Sequence, residues 1–412
     1  MHALPTRARS ASHRGLAGLA VTALLLSGCS AAKDAADGAM GKAGIGDGDE
    51  SSDATTAAAV DEPIIKSNVK KGATGVPVDT QLKVTATDAV LTKVTVTQSG
   101  VELPGTLATD GSSWTAGDGL EPGVTYQVKS TATGTSGDTV HATSSFTTQA
   151  LSLDQQTYPS VAPLAGETVG IGMPVIVTFD VPVTDRAAFE RHLHVTSTPA
   201  QQGTWHWLSD TEVHYRPKTY WQAGTDVSVD VDINGVAAGN GIYGQEDREV
   251  DFHIGDAHVY KVNAQTHQMK VYSNGDLIRT IPITTGKPGF TTRSGVKVII
   301  EKFDVKRMNS ETVGIPAGSS EAYDIDDVQW AMRLTYSGEF IHAAPWSVGS
   351  QGYANVSHGC TGMSTDNAGW LYSMSSRGDV VEYTGTDRPM EPDNGYGDWN
   401  IPWSEYKDGS AL

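Results

Sequence analysis

Cys360 lies in the run Asn355-Val356-Ser357-His358-Gly359-Cys360-Thr361-Gly362, and His342 precedes it by 18 residues in Phe340-Ile341-His342-Ala343. A free thiol ionises near about 8.5, so a cysteine nucleophile at neutral pH needs a base or a positive environment. A nearby imidazole supplies either. Gly359 admits a tight bend and can turn its own and the next backbone N–H toward an oxyanion. Those residue types allow cysteine acyl transfer. A merely buried cysteine is one competing reading. A metal site of His342, His358 and Cys360 is another, with admissible ligand types but no clear fourth ligand.

The only other cysteine is Cys29. It follows Arg7, Arg9 and Arg14, which stand among 14 residues without an acid, and the apolar run 15–26. This is the layout of an export signal over residues 1–28, too short to span a bilayer, which takes about 20 apolar residues. Leu26-Ser27-Gly28-Cys29 resembles a bacterial lipobox. The expectation is that Cys29 becomes a diacylated first residue, anchored by lipid to the outer face of the cell membrane. The alternative is an ordinary secretory signal with an incidental cysteine. Two acyl chains hold a protein on a membrane where one is marginal. A Cys29–Cys360 disulfide is rejected, because the lipid should occupy the Cys29 sulfur.

Residues 29–62 read as a flexible acidic tether of Ala, Gly, Asp and Ser with little to bury. Over the 412 residues, 48 acids stand against 29 Lys and Arg, a formal charge of −19. Loss of the three signal-peptide arginines makes it −22. Such a charge argues against binding nucleic acid or an anionic lipid surface. Two cysteines also exclude a disulfide-rich scaffold and a four-thiolate zinc site.

The remaining chain is mainly β. Residues 63–149 alternate with period two in Thr- and Val-rich runs such as Leu82–Ala86 and Val94–Thr97, broken by Asp-Gly and Pro-Gly turns, which suits a small immunoglobulin-like sandwich. Residues 150–254 repeat the grammar. There Thr204–Trp207 and Glu212–Tyr215 form adjacent strands, 160–172 is a loop, and 185–192 is a short helical excursion. His192, His194, His206 and His214 are structural or surface residues, since no acid or cysteine cluster accompanies them. A third unit, 255–385, opens with strands around an Asn274-Gly275 hairpin. It continues through a strand at 297–300, a long irregular segment at about 303–329 that suits a lid, a helix at 367–374 and a final strand at 379–383. The tail, 386–412, is too aromatic for disorder and should pack on the folded body.

With these residues in place, the chain resembles the L,D-transpeptidases with a YkuD-type catalytic domain, in the actinobacterial lipoprotein form carrying two immunoglobulin-like domains. The motif is a histidine, a gap of roughly fifteen residues, then Ser/Thr-His-Gly-Cys. Here it is His342, fourteen residues, and Ser357-His358-Gly359-Cys360. Tyr336-Ser337-Gly338, Ala344-Pro345-Trp346-Ser347 and Gly397-Asp398-Trp399-Asn400-Ile401-Pro402-Trp403 agree as well. The resemblance implies that Cys360 is the nucleophile, His342 its base, His358 an organiser of the site, and Gly359–Cys360 part of the oxyanion hole. It implies substrate contacts at Tyr323, Tyr336, Trp346 and Ser357, a flap at about 303–329, and no metal or organic cofactor. It further implies peptidoglycan tetrapeptide stems as donor and acceptor, joined by a 3→3 crosslink, and acylation by carbapenem β-lactams. An L,D-carboxypeptidase that hydrolyses the same thioester, and a non-catalytic wall-binding lipoprotein, are the alternatives. Two positions depart from the family pattern: Gly362 stands where an Asn is usual, and Ala343 where Ser is frequent.

Overall fold

The computed structural model describes residues 62–412. The signal segment, Cys29 and almost all of the tether lie outside the described residues. Two β-sandwiches are followed by a β-rich domain with a packed tail, the mainly β class expected from the sequence.

In the first sandwich, one sheet holds Ile64–Ser67, Lys83–Thr87, Ser113–Ala116 and Gly105–Leu107. The facing sheet holds Val101–Leu103, Ala89–Gln98, Thr125–Gly134 and Thr139–Thr147. Period two decides which side faces in: along Thr125–Gly134, Tyr126, Val128, Ser130 and Ala132 are buried while their neighbours mostly are not. Tyr126, Val128 and Ala132 meet Val84, Trp114 and Phe146 in one core. Each such large apolar side chain contributes about 1.5–3 kcal/mol by leaving water.

The second sandwich pairs Thr204–Trp207 with Glu212–Tyr215 in the expected hairpin, His206 opposite His214. The expected excursion is a single turn of helix, Arg186–Glu190, capped by the Asp185 carboxylate, which accepts from Ala188 N at 3.0 Å. Residues 160–172 are not one loop. Pro159–Ala162 pairs antiparallel with Val175–Phe179, and Thr168–Val169 pairs parallel with the end of Arg248–Ile254. Both are short edge strands whose pairing comes from a longer neighbour, so their own sequence carries little periodicity.

The third unit has a five-stranded sheet in the order Asp276–Pro282, Gln268–Ser273, His258–Asn263, Val380–Thr384, Gly295–Val298. Asn274 and Gly275 take φ of 50° and 92° at the hairpin turn, which two left-handed residues allow. A four-stranded sheet follows: Glu301–Asn309, Asp324–Arg333, Phe340–Ala343, Thr361–Met363. The expected irregular stretch at 303–329 is therefore mostly a long hairpin, paired from Glu301 with Arg333 to Asn309 with Asp324, and only its tip is irregular. Helix Thr365–Met374 starts on the Ser364 hydroxyl, which accepts from Asn367 N, and buries Ala368 and Leu371.

The second sandwich and the third unit share one apolar cluster, in which Val298, Ile300, Val380 and Tyr396 join the sandwich core. Gly170 and Gly378 bring the two backbones together: a Cβ on Gly170 would meet Asp379 N at 2.2 Å. The tail packs on the second sandwich. Arg216 lies over the rings of Trp399 and Tyr406, and Asp398 accepts from His214.

Candidate active site

Strand Phe340–Ala343 is buried at all four residues and runs parallel to Thr361–Met363, with His342 beside Gly362. That register sets His342 two residues along from Cys360. The turn into the second strand needs Gly359, whose φ of +123° disfavours any side chain. Ser357 braces the turn: its hydroxyl donates to Cys360 O at 2.6 Å and accepts from Gly359 N at 3.1 Å. The Thr292 hydroxyl donates to Gly359 O at 2.7 Å.

His342 and Cys360 line the same cavity, of about 320 Å³, together with Thr284, Trp346, Ser357 and His358. Its far wall comes from the long hairpin through Met308, Tyr323, Ile325 and Val328. Cys360 also borders a second cavity, of about 290 Å³, which holds Tyr336 and shares Met308 and Tyr323. Of the aromatic residues expected to touch substrate, Tyr323 therefore stands between the two spaces, Trp346 on one side and Tyr336 on the other. Trp346 stacks beside the His342 ring, with centroids 5.9 Å apart.

The His342 ring is held by a backbone acceptor. Its Nδ1 lies 2.8 Å from Ala343 O, and because a carbonyl only accepts, that nitrogen carries the proton and Nε2 is left with a free lone pair. Burial holds this imidazole below its ordinary value, against the Ala343 carbonyl. Burial likewise pushes the Cys360 thiol up to about 12, opposed by a hydrogen bond from the Phe340 backbone. The thiol points toward Gly338 O, 3.6 Å away. Both groups thus rest uncharged at neutral pH.

At the turn, the Gly359 N–H is held by the Ser357 hydroxyl, which itself donates to Cys360 O, so both groups are engaged within the turn. Sequence reasoning also missed the charged group on the hairpin tip: Glu321 accepts from His358 Nε2 at 2.7 Å and from Lys287 Nζ at 2.5 Å. Lys287, then His358, hold the Glu321 carboxyl below its ordinary value. Tyr323 and Phe290 pack on the same His358 ring, with centroids at 5.1 and 4.7 Å. Among the described residues no group of three or more His, Cys, Asp or Glu is placed to hold a metal ion.

Residues 257–382 match the L,D-transpeptidase catalytic domain and residues 73–237 the bacterial Ig domain. The chain is 38% identical over 351 residues to L,D-transpeptidase 2 of Mycobacterium tuberculosis, covering 85% of both chains. The chain belongs to the L,D-transpeptidase family. L,D-transpeptidase 5 of the same organism is 36% identical over 335 residues, 79% of this chain and 72% of that relative. A solved structure of LdtMt1 in complex with imipenem is 38% identical, covering 55% of this chain and 97% of that one, with a TM-score of 0.49.

The geometry gives both departures of this L,D-transpeptidase family member a physical reading. A hydroxyl after the base is not needed to orient His342, because the Ala343 backbone carbonyl does so. At Gly362 a Cβ would meet Ala344 Cβ at 2.8 Å and Thr284 Cγ2 at 3.1 Å, so glycine suits the local packing.

Proposed function

We propose that this protein is a peptidoglycan L,D-transpeptidase working through a Cys360 thioester. The observation that supports it most is the pairing of Cys360 with an oriented, uncharged His342 in one cavity. In the proposed first step, His342 Nε2 takes the thiol proton while sulfur bonds to the carbonyl carbon of the third residue of a donor tetrapeptide stem. The carbonyl oxygen becomes an oxyanion facing the Cys360 N–H. The C–N bond to D-alanine then breaks, and the imidazolium returns the proton to the departing amine. In the second step, the amine of another stem attacks the thioester and gives its proton to His342. The C–S bond breaks, and the sulfur takes the proton back. The product is a 3→3 crosslink.

In this reading Cys29 carries the lipid that holds the enzyme at the outer face of the membrane, and the two sandwiches stand the catalytic domain off toward the wall. Carbapenem β-lactams acylate the same sulfur. Incubation with disaccharide-tetrapeptides and mass spectrometry of the products tests the reaction. Crosslinked dimers with release of D-alanine are expected, and none from Cys360→Ala. Tripeptide without dimer would mean that water resolves the thioester and would replace the reading with a carboxypeptidase. No product from the wild-type protein would remove the enzyme.

A further inference from the structure

Beneath the nucleophile turn lies a group of charged side chains that the acyl-transfer steps do not use. Lys297 is 0% exposed, Glu339 5% and Arg293 8%. Glu339 Oε2 accepts from Lys297 Nζ, while Oε1 accepts from Arg293 Nη1 at 2.9 Å and from Arg293 N at 3.1 Å. A second carboxylate, Glu391, meets Arg293 from the partly exposed side. Lys297 also lies 3.8 Å from the centroid of the Tyr383 ring, whose hydroxyl is 2.6 Å from Thr361 Oγ1, next to the nucleophile.

Two contacts tie this group to Cys360. A Cβ on Gly359 would stand 3.7 Å from Glu339 Cγ, so the carboxylate side chain lies directly under the turn. Glu339 also follows Gly338, whose carbonyl faces the Cys360 sulfur. A carboxylate so close and so dry opposes a thiolate unless a cation matches it. Lys297 is the fully buried cation placed to do that.

We propose that Lys297 is a positioning residue for the reaction: its ammonium neutralises Glu339 beneath Gly359 and so lets Cys360 become a thiolate. The inference rests on Cys360 being the nucleophile. Arg293, which also binds Glu339, is shared with a second carboxylate, Glu391, and the other groups around the sulfur leave this role to Lys297. His342 is uncharged at rest, Tyr323 and Tyr383 are neutral phenols, and His358 is directed to Glu321. Arg333, the remaining cation felt by the thiol, is directed to Glu301 by its Nε at 2.9 Å. Burial lowers the Lys297 ammonium to about 8 while Glu339 opposes the fall, so it is charged at neutral pH.

Alkylation of Cys360 by iodoacetamide across a pH series, read on the Cys360 peptide of the full chain by mass spectrometry, tests this. Lys297→Met should raise the midpoint by about one pH unit, or slow alkylation roughly tenfold at a fixed pH below it. Lys297→Met combined with Glu339→Gln should bring the midpoint back toward wild type, because the opposing carboxylate has gone too. Should Lys297→Met fail to fold, Lys297→Gln carries the same expectation. An unchanged midpoint in the folded single variant overturns the proposal, as does a double variant shifted as far as the single one. A purely structural role for the pair would lower the folding stability of the single variant without moving the Cys360 midpoint. The predicted shifts in a protein that never acylates with tetrapeptide donor would uphold Lys297 and overturn the transpeptidase reading, so the two fail separately.

Discussion

His342 and Cys360 line one cavity, and burial acts on them in opposite directions. It lowers the imidazole and raises the thiol, so the reactive pair begins neutral. Since His342 must be unprotonated to act as the base, activity should fall with acid only below the ordinary imidazole value of 6.5. An acid limb of kcat/KM centred below 6.5 is expected, and one centred above 6.5 would contradict it. The neighbouring departure gives a packing prediction. Gly362→Asn places a Cβ against Ala344 and should destabilise the protein by about 1–3 kcal/mol, read as a fall in Tm. The sequence points to His358 and Cys360 through a short contiguous motif and to His342 through its spacing from that motif. It does not point to Lys297 and Glu339. Val296-Lys297-Val298 does alternate, but alternation alone would have put the lysine outside, and its partner lies 42 residues away.

At the scale of elements, the long hairpin forms one wall of the site and its tip reaches over the motif histidine. Glu321 joins that tip to His358 and Lys287. Glu321→Gln should free the tip, giving faster hydrogen exchange over residues 310–323 and a several-fold rise in KM with a smaller change in kcat. Unchanged exchange there would show that the contact does not hold the tip. Sequence reasoning placed a lid in this region but missed the strands that carry it. Asp324, Asp326 and Asp327 interrupt the apolar pattern, and Trp330 takes a φ of 56°, which breaks the two-residue period. The Asn274-Gly275 hairpin was legible because its turn chemistry is local. The edge strands at 159–162 and 168–169 were not, because their partners define them.

Across the whole molecule, the tail ties the catalytic unit to the second sandwich through a buried ion pair formed 184 residues apart. Burial alone would lower His214, but Asp398 and Glu212 raise it to about 9, and both of its nitrogens donate. A histidine raised on folding contributes stability in full below 6.5 and loses it as pH rises through about 9. Asp398→Asn should therefore cost about 3–5 kcal/mol near neutral pH and flatten the decline of stability between pH 6.5 and 9. Denaturant unfolding at three pH values reads both effects, and an unaltered slope would remove His214 as its source. The aromatic tail was legible as a packed segment. Its docking place was not: His214 is the structural histidine the sequence suggests, but its partner Asp398 lies 184 residues away.

The proposed reaction turns on a covalent bond to one sulfur. Intact-protein mass spectrometry during incubation with a disaccharide-tetrapeptide donor, followed by peptide mapping, tests that bond directly. The expected result is an adduct equal to the donor minus D-alanine, located on Cys360, absent from Cys360→Ala and discharged by an acceptor stem with formation of dimer. Dimer formed by Cys360→Ala, or an adduct on any other residue, would contradict it.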